Sequence, residues 1–336
     1  MLSRIMQLLP QELAAMLERM PARVKDSMEE IRIREGRPLE IGFCDGFRFV
    51  HPDGSLHFDA AGAYRPSRAL CRSLLERVTN HSLYAMEEEL RRGYITVAGG
   101  HRIGLAGRTV LDDSRVRAIR DVAAFNVRIA REVPGAAVKL LPKLLDYSRR
   151  SVHSTLIVAP PQQGKTTLIR DMARLISSGE WGHTAAGWTS RKVGIVDERS
   201  EIAACVQGVP TFDIGPRTDV LDACPKAEGM MMMIRSMSPE VLIVDEIGKT
   251  EDAEAILDAS HAGIAVIATA HANNLKDASA RPVLRRLLDE GAFAQCVELR
   301  RGAAGLSGFV TPVRSRLDSR LRGAREPTAA GGITDD

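Results

Sequence analysis

No apolar run in this chain approaches the ~18 residues needed to cross a bilayer, so no membrane-spanning helix is expected. Cysteine is scarce. Its five copies (Cys44, Cys71, Cys205, Cys224, Cys296) are scattered and form no CxxC pair. That argues against a disulfide framework or a thiolate zinc site and fits a reducing cytoplasm. An excess of one charge is missing too. The net charge of +3 is too small to argue for nucleic acid, and no RNA- or DNA-binding motif is visible. The start, MLSRIMQLLPQEL, has a short apolar patch without a signal-peptide cleavage pattern. Any membrane role is therefore expected to run through a docked partner.

What is present suffices for two ordinary domains: 336 residues, 44% hydrophobic and 26% charged. Residues 1–132 read as a mixed α/β domain. Gln11–Met20 has helical spacing and stops at Pro21. Ile31–Arg34, Leu39–Phe43 and Phe47–Val50 read as short strands, the last after a Cys44-Asp45-Gly46 turn. Helices are expected over Arg68–Thr79 and Leu83–Arg91. Gly99-Gly100-His101, between Tyr94–Ala98 and Arg102–Ala106, is a hairpin signal, and Val122–Ala130 reads as a further strand. Arg102, Arg108, Arg120 and Arg128 lie in or beside strands. A solvated basic face explains most of them. Arg102, Arg108 and Arg128, however, sit in short apolar segments where a permanent charge calls for a partner, and a nucleotide phosphate would be one.

Val133-Pro134-Gly135 marks the boundary to a second domain over 133–310, in which Ala137–Tyr147 is expected to be a helix. The chain is organised around Ser154–Arg170, STLIVAPPQQGKTTLIR. Ser154–Val158 suits a buried strand, the two prolines end it, and Gly164-Lys165-Thr166-Thr167 opens a helix. Strand, tight loop, GKT and helix are the context of a phosphate-binding loop. Loop N–H groups and the positive helix N-terminus bind an anion. Ala159, Pro160, Pro161, Gln162, Gln163, Gly164, Lys165, Thr166 and Thr167 would cradle ATP, with Lys165 on the β- and γ-phosphates and Thr166 on Mg²⁺. The usual pattern has glycine at Ala159, where alanine would resist a positive φ, and small residues are common at Gln162 and Gln163.

Val241–Glu246 reads as a buried strand tipped by two acids. Asp245 would hold Mg²⁺ through water, and Glu246 would polarise the attacking water as general base or orienter. Ile195–Glu201 is a second acid-tipped strand. Its Asp197-Glu198 is either a water-positioning group or part of a charged loop. His271 ends the last strand at the ligand edge, where it could sense the γ-phosphate. Arg217, in a loop after Gly215, could stabilise phosphate charge in cis or across a subunit interface, or simply pair with Asp219. Gly229–Ile234 reads as a buried helix rich in methionine, and Trp181–Ser190 as a surface loop.

Thr155–Val158, Lys192–Val196, Val241–Val244 and Ile264–Thr269 are apolar strands separated by helix-length segments. That alternation implies a parallel sheet with helices on both faces. The fold class is α/β: a P-loop NTPase (RecA-like) sheet preceded by the smaller mixed α/β domain. Residues 311–336 lose their apolar content and are expected to be a flexible tail.

Together these segments resemble the stage III sporulation protein AA family, mother-cell ATPases of endospore-forming bacteria. The matching stretches are GYITVAGGHRIGLAGR (Gly93–Arg108), APPQQGKTTLIRD (Ala159–Asp171), VDERSEIAACVQG (Val196–Gly208), DIGPRTDVLDACPKAEGMMMMIRSMSPEVLIVDEIG (Asp213–Gly248) and IATAHA (Ile267–Ala272). The family is similar to the type II and type IV secretion ATPases. In their terms Asp197-Glu198 resembles the Asp box and His271 the His box. Gln162 and Gln163 depart from the family, which more often has glycine and a small residue there. The resemblance implies a hexameric ring at the cytoplasmic face of the membrane in the mother cell, working on membrane proteins of a sporulation channel complex. It also implies that first-domain arginines reach the nucleotide when the ring closes, and Arg128 is the candidate chosen here. Two other expectations stand beside this one: a P-loop ATPase acting on nucleic acid, and an ATP-binding scaffold that does not hydrolyse.

Overall fold

The computed structural model describes residues 2–43, 46–79, 90–91, 93–97, 99–112, 115–130, 132–302 and 305–313. The chain divides into two compact units. One comprises Met1–Glu132 with Ala204–Phe212, the other Val133–Ala203 with the chain from Asp213 onward.

The first unit begins with helices α1 (Leu2–Leu8), α2 (Gln11–Glu18) and α3 (Ala22–Ser27). Strands β1 (Glu30–Arg34), β2 (Glu40–Phe43), β3 (Gly46–Val50) and β4 (Leu56–His57) follow, then α4 (Arg68–Val78). Next come β5 (Tyr94–Val97), β6 (His101–Asp112) and β7 (Arg115–Arg128). Among the described residues these form an antiparallel sheet in the order β4-β3-β2-β1-β7-β6-β5. The alternating apolar residues Ile31, Ile33, Ile95, Ile103, Phe125 and Val127 all face its core. The short strands β1 to β3, helices α2 and α4 and the glycine hairpin are where the sequence places them, whereas α1, α3 and β4 carry no expectation. Cys44, Asp45 and most of Leu83–Arg91 lie outside the described residues.

Strands β6 and β7 run well past the expected Arg102–Ala106 and Val122–Ala130. Their outer halves are largely exposed and pair through Arg108↔Arg120 and Val110↔Ala118. Gly100, at φ +71, has a close-approach reason to be glycine. A Cβ there would stand 2.5 Å from the side chain of Ala204 and 2.9 Å from Phe212. That packing accounts for Ala204–Phe212 grouping with the first unit, although the segment falls inside 133–310.

The second unit does not open with the expected Ala137–Tyr147 helix. The chain makes turns, a short 3-10 helix (Leu141–Leu144), and a small hairpin of β8 (Leu145–Asp146) and β9 (Ser151–Val152). Pro142 is the physical reason, since it cannot donate to an i−4 carbonyl within a helix. Leu141, Leu144 and Leu145 are buried all the same.

The central elements are β10 (Thr155–Ala159), α5 (Lys165–Ser178), β11 (Val193–Asp197), β12 (Thr218–Asp222) and α6 (Lys226–Met237). After these come β13 (Val241–Val244), α7 (Thr250–His261), β14 (Ala265–His271), α8 (Leu275–Ala280) and α9 (Pro282–Asp289). The hairpin β15 (Gln295–Gly302) and β16 (Gly305–Pro312) is the last element among the described residues. The sheet order is β12-β11-β13-β14-β10-β15-β16, parallel from β12 to β15 with β16 antiparallel at the edge. Strands β10, β11 and β13 are buried along their whole length, as expected of a parallel sheet covered on both faces. The sequence reading missed β12, β15 and β16. The loop expected at Arg217 gives way to β12 from Thr218, and Thr311 and Pro312, expected in the tail, are strand residues. In α6, Met230 and Met233 are buried and Met232 is exposed.

The expected surface loop at Trp181–Ser190 instead carries a buried anchor. Trp181 is fully buried, donates from its indole N–H to the Thr189 carbonyl at 3.1 Å, and stacks edge-on with Trp188. Trp181→Ala is expected to destabilise the protein by about 3–5 kcal/mol, read from the urea unfolding midpoint. An unchanged midpoint would mean that Trp181 does not anchor this loop.

Candidate functional site

The parallel register brings the ends of several strands to one edge. Ala159 lies opposite His271, and Val244 lies between Val196 and Ala268, so the residues after β10, β11 and β13 emerge beside the end of β14. In open α/β sheets this carboxyl edge is where ligands bind.

Strand β10 is extended through Ala159, which needs no positive φ. The left-handed conformations fall at Gln162 (φ 62) and Gly164 (φ 87). The anticipated objection to alanine therefore lapses, and it is Gln162 that takes the unusual conformation. Gly164 is the N-cap of α5, and the first N–H groups of that helix have no intrahelical acceptor. No acidic side chain occupies its first turn. The positive end is left to a ligand anion, which suits a phosphate group.

Lys165 is only 5% exposed. Its Nζ donates to the carbonyls of Ala159 and Pro160, both at 3.0 Å, and meets His271 Nδ1 at 3.0 Å. Burial pushes the amine below the ordinary lysine range, partly offset by Asp245 and Glu246. Thr166 Oγ1 donates to Asp245 Oδ2 at 2.6 Å, and the Thr269 hydroxyl donates to Asp245 Oδ1. A hydroxyl and a carboxylate in contact at the head of a helix are hard oxygen donors. With phosphate oxygens and water they make up the set that Mg²⁺ takes, so these residues fit the ion.

Glu246 sits at φ 53. The backbone is held there because its N–H donates to Thr269 Oγ1 at 2.9 Å and to Asp245 Oδ1 at 3.0 Å. Strain of this kind gathers at functional positions. Both carboxylate oxygens are engaged: Oε1 with His271 Nε2 at 3.1 Å and Oε2 with Arg199 Nη1 at 2.5 Å. One polar chain thus runs Lys165–His271–Glu246–Arg199.

The two members of the Asp197-Glu198 pair differ. Asp197 is buried and accepts from the N–H groups of Glu201, Ile202 and Ala203. Burial, helped by nearby Asp222, outweighs those donors and pushes its carboxyl up to about 6. Its geometry is that of a loop organiser. Glu198 pairs with Lys226, the first residue of α6, which is itself buried. Burial raises the Glu198 carboxyl, but the Lys226 contact more than reverses this, so it lies below the ordinary range.

Of the candidate arginines, Arg217 lies away from this edge. Arg217 precedes β12, at the amino edge, and the length of that strand puts it roughly 16 Å from the carboxyl edge. It donates to Ser190 O at 2.6 Å and Ser190 Oγ at 3.1 Å rather than pairing with Asp219. That removes the in-cis route. Arg128, Arg102 and Arg108 belong to the first unit. Arg128 is exposed at the end of β7, Arg102 lies over the Tyr94 ring at 3.5 Å, and Arg108 pairs with Asp121 at 3.0 Å. Solvent and local partners satisfy the latter two without a phosphate. Thr269, Arg199 and Lys226 were not assigned from the sequence. All three lie in the family-like stretches Val196–Gly208, Asp213–Gly248 and Ile267–Ala272, where nothing local marks their role.

The family described as "Sporulation stage III, protein AA" matches residues 2–320. The chain belongs to the stage III sporulation protein AA family. It is 46% identical over 300 residues to Stage III sporulation protein AA of Bacillus subtilis (strain 168), covering 89% of this chain and 91% of that one. Among solved structures, the ATPase DotB of Legionella pneumophila is similar with a TM-score of 0.59 and 15% identity, over 94% of this chain and 84% of that chain. The pilus retraction motor PilT with bound ADP is similar with a TM-score of 0.56 and 16% identity, over 90% and 85%. At such identities the likeness concerns the fold, which is that of a P-loop (RecA-like) ATPase with a smaller mixed α/β domain before it.

Proposed function

We propose that this chain is a Mg²⁺-dependent ATPase of the secretion-ATPase type. It acts in a ring of its own copies, hexameric by the resemblance, at the cytoplasmic face of the mother-cell membrane. There it drives a channel complex between mother cell and forespore during endospore formation. The observation that carries the reading is the convergence of Lys165, Thr166, Asp245, Glu246 and His271 at one sheet edge, with distances of 2.6–3.1 Å along the contacts. Lys165 and the start of α5 would hold the triphosphate, and Thr166 with Asp245 would hold Mg²⁺, which neutralises phosphate charge when bound. Glu246 would orient the attacking water, and His271 would link that carboxylate to the phosphate-binding lysine. Family membership supports the sporulation setting. Among the described residues no helix is long and apolar enough to cross a membrane, so coupling to the channel would pass through partner proteins.

The ring is tested by titrating the protein. Lys165 and Mg²⁺ leave part of the transferring phosphoryl charge uncovered, Arg199 is held by Glu246, and Arg217 at the amino edge is bound to Ser190. An added arginine is worth ~10³–10⁵ in rate where it occurs. ATPase activity per subunit is therefore expected to rise with protein concentration. Arg128→Ala should lose hydrolysis while keeping ATP binding, because such a group acts on the transition state. Specific activity that stays flat from dilute monomer to concentrated oligomer would rule out a shared site. Normal turnover by the Arg128 variant would move the role to Arg102 or Arg108.

A further inference from the structure

Gln163, in the phosphate-binding loop, has a specific partner. Its Oε1 accepts the main-chain N–H of Arg301 at 3.0 Å. The neighbouring Gly164 is covered from the same hairpin: a Cβ there would lie 2.7 Å from a methyl of Leu306. Arg301 and Leu306 are direct cross-strand partners in β15 and β16. Directly opposed residues project from the same face of a sheet. The Arg301 side chain therefore leaves the hairpin on the face that meets the phosphate-binding loop, and it is exposed.

Topology says which end of a nucleotide would be there. Strand β10 lies between β14 and β15. The groups suited to the terminal phosphates and Mg²⁺ are all on the β14 and β13 side: His271, Asp245 and Glu246. A triphosphate lying across the loop with its γ end toward β14 must direct its nucleoside toward β15. We infer that the Arg301–Leu306 pair of β15 and β16, tied to the loop by Gln163, is the nucleoside-binding part of the site, with the planar Arg301 guanidinium covering the base. Arginine planes stack on bases in this way in nucleic-acid recognition. The inference rests on the proposed ATP site.

The test compares ATP with inorganic tripolyphosphate, which has the charge and no nucleoside. Binding of each is measured by calorimetry with Mg²⁺ for the wild type, Arg301→Ala, Gln163→Ala and Lys165→Ala. Arg301→Ala should bind ATP about tenfold more weakly, in the range of a cation–π contact, with tripolyphosphate affinity unchanged. Gln163→Ala should move ATP affinity in the same direction by less. Lys165→Ala should weaken both ligands. Unchanged ATP affinity in Arg301→Ala would overturn the assignment, as would equal losses for ATP and tripolyphosphate, which would make Arg301 a phosphate ligand. If the wild type binds neither ligand, the phosphate-binding loop itself fails, a result separate from failure of the hairpin alone. Retained tripolyphosphate binding also shows that Arg301→Ala and Gln163→Ala are folded.

Discussion

Glu246→Gln is expected to keep ATP affinity near that of the wild type and to slow hydrolysis about 10²–10⁴-fold, the usual worth of a positioned general base. The substitution preserves shape. Glutamine can still accept from His271 through its carbonyl oxygen, so the site stays assembled. What it loses is the second carboxylate oxygen, now engaged by Arg199, and the negative charge that would draw a proton from water. The backbone at φ 53 is unaffected, because it is held by Thr269 and Asp245 rather than by the side chain. Single-turnover hydrolysis with bound ATP measures the effect without interference from product release. A rate equal to wild type would move the base elsewhere. Glu198 is poorly placed to inherit it, since the Lys226 contact already holds it.

Lys165→Ala is expected to weaken ATP binding most among single changes, by about 2–5 kcal/mol, the cost of truncating one partner of a buried charge pair. That is roughly thirtyfold or more in Kd. Without nucleotide the variant should remain folded. Burial already disfavours the Lys165 ammonium, and the carbonyls of Ala159 and Pro160 lie at the loop, where water can replace it. Equilibrium binding of a fluorescent ATP analogue checks this, with thermal melting of the free protein as the control. Wild-type affinity in the variant would sink the phosphate-binding assignment.

The site was legible in the sequence where its chemistry is local. A strand that must end at two prolines and a lysine that opens a helix are close together in the chain, and both are where the sequence puts them, whereas the positive φ expected to matter at Ala159 falls at Gln162 and Gly164. The acids after β13 were legible because a buried apolar strand seldom ends in two carboxylates without a use for them. Arg199 and Lys226 were not, because their roles exist only once β11, β13 and α6 are packed side by side. The link between Gln163 and Arg301 spans 138 residues, and nothing at either end announces it.

The fold shows the same division. The buried strands β10, β11 and β13, and β14 up to His271, stand out as apolar runs. Strand β12, TDVLD, is only half-buried along its length, and QCVELRRG in β15 carries its charges in the strand itself. Neither offers the apolar contrast on which pattern reading depends. The outer halves of β6 and β7 are exposed on both faces, so no alternation marks them. The missed turn at Pro142 is different in kind. Leucine spacing favoured a helix there, and one residue without an N–H decided against it.

Release of phosphate from ATP by the purified wild-type protein, measured with Mg²⁺ and again with Mg²⁺ chelated, is the most direct test of the central claim. The account predicts steady release with Mg²⁺ that falls to background on chelation and in Lys165→Ala. Release no greater than that of Lys165→Ala, at concentrations where the wild type is oligomeric and saturated with ATP, would contradict it.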